Sequence, residues 1–84
     1  MDKKTILIVD DVELNRAILA ELFDDLYLIR EAENGKQALQ LLQEEQDQIV
    51  MVLLDIIMPV MDGFDVLQVM TEQKWIDRIP VILI

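Results

Sequence analysis

The sequence predicts an α/β domain built on a parallel sheet with helices on both faces. Three observations carry that prediction. Short runs rich in β-branched and aliphatic residues recur along the chain ("TILIV", "YLIREA", "IVMVLL", "VILI"), and the first, third and fourth are apolar on both faces, as strands inside a covered parallel sheet are. Amphipathic stretches with helical spacing lie between them. The resulting order, βαβαβαβ with connections of ordinary length, implies parallel strands joined by right-handed crossovers.

The first strand spans about Thr5 to Asp10 and is stopped by acids. "DVELNRAILAELFDD" follows as a helix whose apolar stripe is Leu14, Ile18 and Leu22, widened by Ala17 and Phe23, with Asp10 or Asp11 at its N-cap. A second strand runs from Leu26 to Glu31, and "ENG" turns the chain with Asn34 as a cap. In "GKQALQLLQEEQ" one helical face carries Ala38, Leu41, Leu42 and Glu45. The third strand is Ile49 to Asp55. "IIMPVMDG" is a loop, because Pro59 disfavours helix at Met58 and Asp62–Gly63 is turn chemistry. Asp62 then caps a helix with Phe64, Val66, Leu67 and Met70 on its apolar face. "WIDRIP" connects to the fourth strand, "VILI", with Trp75 as an anchor; its wholly apolar sequence calls for an interior place. Met51, Met58, Met61 and Met70 read as packing residues.

Composition narrows the function. The chain has 84 residues, enough for one small domain in which roughly 60–65% of the unfolded surface can be buried. Its 17 acidic and 7 basic residues give a net charge of −10, which disfavours nucleic-acid and anionic-membrane partners and suits cations, basic partners or simply an acidic solvated surface. With no cysteine and no histidine there is no disulfide, no ordinary zinc site and no histidine acid–base chemistry. The lack of cysteine fits a cytoplasmic protein. The basic start is followed by an apolar run of five residues, too short for a signal peptide. The longest apolar stretch, Ile49 to Met61, has 13 residues and contains Asp55, so it does not span a bilayer.

Chemistry concentrates at the strand ends. In a parallel sheet the C-terminal ends of all strands share one rim, and open α/β sheets bind ligands there. Asp10 and Asp11 end the first strand and Asp55 ends the third. If those strands are neighbours, the carboxylates come within about 5–7 Å, given a strand spacing of about 4.8 Å. Two bare carboxylates about 5 Å apart repel by roughly 3 kcal/mol at an effective dielectric of about 20. Such a group needs a cation or a proton, and Mg2+, which takes carboxylates, a carbonyl, waters and a phosphate oxygen, fits. A carboxylate beside that ion can act as a nucleophile toward a phosphoryl group. The plainer alternatives are that Asp55 only ends a strand and that Asp10 and Asp11 only cap a helix. Asp62 reads as a cap rather than a ligand.

"ILIVDDVELNR", "AENGKQAL" and "VLLDIIMPVMDGFDVL" together resemble the receiver domain of two-component response regulators, in order and over essentially the whole chain. The resemblance implies a flavodoxin-like doubly wound sheet of order 2-1-3-4. It implies Asp55 as phosphoacceptor, Asp10 and Asp11 as the acidic pair that binds Mg2+, and the backbone carbonyl of Ile57 as a further metal ligand. Pro59 and Gly63 shape the loop. A sensor histidine kinase or phosphotransfer protein is the implied phosphodonor. The family also places a Ser or Thr just after the fourth strand and a Lys at the end of the fifth. Neither has a counterpart here: Lys74 precedes the fourth strand, Lys36 lies beside the second, and Thr71 is in the third helix. Residues 1–84 therefore read as a receiver truncated after its fourth strand, without the fifth strand and last two helices and with impaired phosphotransfer. The alternative is a half-domain that folds by pairing, as a homodimer or higher oligomer through its fourth strand. An aspartate-nucleophile hydrolase is disfavoured because Ile57 stands where such enzymes carry a second acid. Flavin binding is disfavoured by the acidic first loop.

Overall fold

Alternation of strand and helix does produce a parallel sheet. A computed structural model describes residues 3–84. In chain order the elements are β1 (Thr5–Val9), α1 (Glu13–Phe23), β2 (Leu28–Ala32), α2 (Gly35–Glu45), β3 (Ile49–Leu54), α3 (Gly63–Glu72) and β4 (Val81–Leu83), with one 3-10 turn at Trp75–Asp77 before β4. The sheet order is β2-β1-β3-β4, all parallel. Val9 pairs with both Ala32 and Leu54, and Leu54 pairs with Leu83, so the residues that follow these strands emerge at one rim.

Both faces of the sheet are apolar because β1 and β3 alternate between two cores. Leu7, Val9, Val52 and Leu54 point to the side covered by α2 and α3, where they pack with Leu42, Val66, Met70, Trp75 and Ile79. Ile6, Ile8 and Leu53 point to the other side, against Leu19, Ala20 and Phe23 of α1. Asn34 and Asp62 cap α2 and α3 as expected: their side-chain oxygens accept from the Gln37 amide at 2.9 Å and the Asp65 amide at 3.0 Å. Met51, Met58, Met61 and Met70 pack as read, Met58 and Met70 buried and Met51 and Met61 against the core, and Trp75 anchors the connector. No helix among the described residues is long and apolar enough to cross a membrane.

Several local expectations are corrected. Leu14, Ile18 and Leu22 of α1 do not face the sheet; they are 67, 52 and 69 % exposed, and α1 has no fully buried residue. The helix carries a second apolar row, Leu19 and Phe23, and the sheet takes that one. Neither Asp10 nor Asp11 is the N-cap of α1. Val12 holds that place without a side-chain cap, since the Asp10 carboxylate turns back to the Val12 amide instead. The second strand begins two residues later than Leu26, because the amides of Leu26 and Tyr27 still bond to the Phe23 carbonyl as α1 ends. Phe64, in the first turn of α3, is exposed rather than packed. Glu45 meets the α2 face only as an ion pair, with Arg30 at 3.1 Å. The apolar fourth strand is not interior: β4 pairs only with β3, and Ile82 and Leu83 remain about half exposed.

Two leucines in opposite settings, Leu42 of α2 and Leu22 of α1, give opposite predictions. Leu42→Ala opens a cavity in a fully buried site and will cost about 2–5 kcal/mol in urea unfolding. Leu22→Ala, on the uncovered side of α1, will change stability by less than about 0.5 kcal/mol.

Candidate functional site

The rim is built by continuing the strand ladders past their last residues. The Asp10 amide donates to the Ala32 carbonyl at 3.1 Å, and the Asp55 amide donates to the Val9 carbonyl at 2.9 Å. Both acids are thereby fixed at the ends of adjacent strands. One carboxylate oxygen each from Asp10, Asp11 and Asp55 lies within 4.8 Å of the others. Their surroundings differ. Asp10 is buried, with Oδ1 accepting from the Val12 amide at 2.9 Å and Oδ2 from the Asn15 side-chain amide at 3.4 Å. Asp11 is exposed and Asp55 is half-buried. The structure thus brings together the three side chains singled out in the sequence, and Ile57 follows Asp55 in the same loop.

That loop is shaped by close backbone contacts. Asp55 Oδ1 accepts from the Ile57 amide at 3.1 Å, and the Gly63 amide donates to the Ile56 carbonyl at 2.8 Å. A Cβ on Gly63 would stand 2.6 Å from the Asp55 carbonyl oxygen and 2.7 Å from the Ile56 Cα, so only glycine lets α3 start there. Gly35 serves the same end at the start of α2, where a Cβ would meet the Met61 carbonyl oxygen at 2.7 Å. Between them the Met61 amide donates to the Pro59 carbonyl at 2.8 Å, closing a three-residue turn on Val60 at φ 71°. A β-branched residue is strained in that left-handed region.

An open cleft of about 360 Å³ borders the acids, lined by Asp10, Asn15, Ile18, Leu19, Asp55 and Ile84. No Lys, Ser or Thr is in that lining. Lys36 is in the first turn of α2, Lys74 follows the C-terminus of α3 at the opposite end of the sheet, and the Thr71 hydroxyl donates to the Leu67 carbonyl at 2.8 Å. Asp62, its carboxylate engaged with the Asp65 amide, does not belong to the acidic group. Two site residues escaped the sequence reading. Asn15 and Arg16, in the first turn of α1, both bond to Asp10, but they fill the ordinary polar gap between Leu14 and Ala17, so local spacing gave no signal for them.

Burial lifts the Asp55 carboxyl above its ordinary value, the Ile57 amide opposes that rise, and the negative charges of Asp10 and Asp11 add to it. A divalent cation with oxygen preference suits these surroundings. It would replace the mutual repulsion of three anions with attraction, and the donor set is all oxygen. In its absence the folded state holds a proton on Asp55 more readily than the unfolded chain does. Stability therefore falls as pH rises through the window above the ordinary carboxylate value of 3.8. In metal-free buffer Asp55→Asn will raise the melting temperature at neutral pH, and the gain will shrink toward zero as pH falls below that window.

Comparison with known proteins agrees with this architecture. Residues 6–84 match the family model of the response regulator receiver domain. The chain is 41% identical over 80 residues to a probable cyclic di-GMP phosphodiesterase of Vibrio cholerae, covering 95% of this chain and 18% of that protein. It is 39% identical over 83 residues to histidine kinase P4 of Formosa agariphila, covering 99% of this chain and 6% of that one. In a CheX–CheY–BeF3–Mg2+ complex from Borrelia burgdorferi, 95% of this chain superposes on 60% of the matched chain, with TM-score 0.83 and 31% identity. The chain spans less than two thirds of the length of each of these relatives. With its sheet order, its rim of acids and a family match over residues 6–84, the chain belongs to the response regulator receiver domains.

Proposed function

We propose that the chain accepts a phosphoryl group on Asp55 from a phosphohistidine of a sensor histidine kinase or phosphotransfer protein, with Mg2+ held by Asp10, Asp11, Asp55 and the Ile57 carbonyl. The observation that carries this reading is the convergence of three carboxylates from two separate loops within 4.8 Å. A carboxylate oxygen of Asp55 attacks phosphorus, the P–N bond to the imidazole breaks, and an acyl phosphate forms. Bound Mg2+ would screen the charge gathered between the carboxylates and the phosphoryl oxygens. Asp10 is held for this role by the Val12 amide and the Asn15 side chain, and Asp55 by the Ile57 amide. The Borrelia burgdorferi relative, solved with beryllium trifluoride and magnesium, lends support by likeness. So does the match within a histidine kinase for the phosphodonor class. A cytoplasmic location accords with such a donor. Because no cation or hydroxyl lines the cleft, the transferred group will be held weakly by these residues alone.

Incubation of the chain with Mg2+ and a small acyl phosphate, followed by intact-mass measurement, will show one added phosphoryl that is lost in Asp55→Asn. A wild-type mass that does not change would sink the assignment.

A second reading rests on a different observation. β4 offers an unpaired edge with Ile82, Leu83 and Ile84 about half exposed, and the outer row of α1 is also uncovered. An edge of this kind templates pairing with a second copy of the chain. Sedimentation velocity at micromolar concentration will show a dimer or larger species; a single monomer boundary refutes this reading.

A further inference from the structure

We infer that Arg16 is a positioning residue for the acidic pair: its guanidinium locks the peptide between Asp10 and Asp11 and so aims Asp11 at Asp55. This inference rests on the metal-binding reading above. Arg16 Nη1 donates to the Asp10 carbonyl oxygen at 2.8 Å, and Nε donates to Glu31 Oε1 at 3.1 Å. Its side chain is only 13 % exposed, unusual for a cation on the outer helix of an acidic domain. The geometry accounts for that burial. Asp10 is already pinned by its own amide, which bonds to Ala32, and by its carboxylate, which bonds to Val12 and Asn15. The Asp10 carbonyl is the remaining free end of the residue, and its direction sets the plane from which Asp11 departs. A planar guanidinium with several donors can hold that oxygen while its Nε is braced on Glu31 at the end of β2. Among the described residues none from a neighbouring strand braces the Asp11 backbone; its aim is inherited from the Asp10 carbonyl.

The sign of the effect separates positioning from simple charge. If Arg16 acted only as a nearby positive charge, removing it would deepen the negative potential at the acids and tighten a divalent cation. As a positioning residue, its loss weakens binding, because Asp11 is no longer presented. Calorimetric titration of the 84-residue chain with MgCl2 tests this. Arg16→Gln will bind Mg2+ about tenfold more weakly than wild type. Arg16→Lys, which keeps the charge and one donor for the Asp10 carbonyl, will recover part of that loss. Metal-free melting of each variant reports folding separately. Equal or tighter binding by a folded Arg16→Gln overturns the inference. Should that variant not fold, Arg16→Lys keeps the charge but cannot hold the Asp10 carbonyl and Glu31 at once, so charge alone predicts no change. A roughly two- to threefold loss supports the inference, by the scale of an exposed ion pair, and unchanged affinity overturns it. Failure of the wild-type chain to bind Mg2+ would instead remove the metal-binding reading itself, a separate and recognisable result.

Discussion

Adjacency of β1 and β3 is the constraint on which the site depends. Parallel pairing forces Val9 beside Leu54, so the next residues, Asp10 and Asp55, must share a rim one strand spacing apart. Nothing in the acids themselves favours that arrangement. Three like charges within 4.8 Å raise the free energy of the folded state, and together with burial, the larger cause, they lift the Asp55 carboxyl. Two packed cores supply the compensating stabilisation, one on each side of the sheet. Local dipoles contribute too: the Val12 and Ile57 amides each donate to one carboxylate. The domain therefore carries a crowded acidic rim, whose internal repulsion a hard cation would relieve.

How far the sequence reveals this differs from residue to residue. The shared rim of Asp10, Asp11 and Asp55 was legible, since alternation puts all strand ends on one side without any side-chain detail, while the strand order came from the resemblance to receiver domains. The caps Asn34 and Asp62 were legible because each stands three residues before the amide it satisfies. The buried face of α1 was not. Leu14, Ile18 and Leu22 form one row and Leu19 and Phe23 another, and periodicity alone gives no preference between neighbouring rows. The start of β2 was misplaced because Leu26 is apolar yet belongs to the turn that ends α1. Arg16 was invisible for a related reason: its partners are a backbone carbonyl and a glutamate of β2, and neither leaves a mark in local spacing.

Coverage of the sheet is uneven, and the imbalance separates roles. The side beneath α2 and α3 holds most of the buried side chains, including Trp75 and Ile79 from the connector before β4. The side beneath α1 holds three fully packed strand residues, and α1 is attached by Leu19, Ala20 and Phe23 at its sheet face and by Arg16 at its start. The heavier core anchors the strands that carry the acids. The lighter side meets the cleft through Ile18 and Leu19, so α1 is both a wall of the site and its least buried neighbour.

The chain has two glycines, and both sit where another segment's backbone presses against Cα rather than where φ is positive. The left-handed position in the same loop is given to Val60. This allocation leaves the unfolded chain comparatively stiff, since few residues roam the full range of backbone angles. It also makes the segment after Asp55 a poor place for neutral drift. Any side chain at 35 or 63 collides with main-chain atoms that have no room to move aside, whereas residue 60 can trade its valine without disturbing a neighbour's backbone.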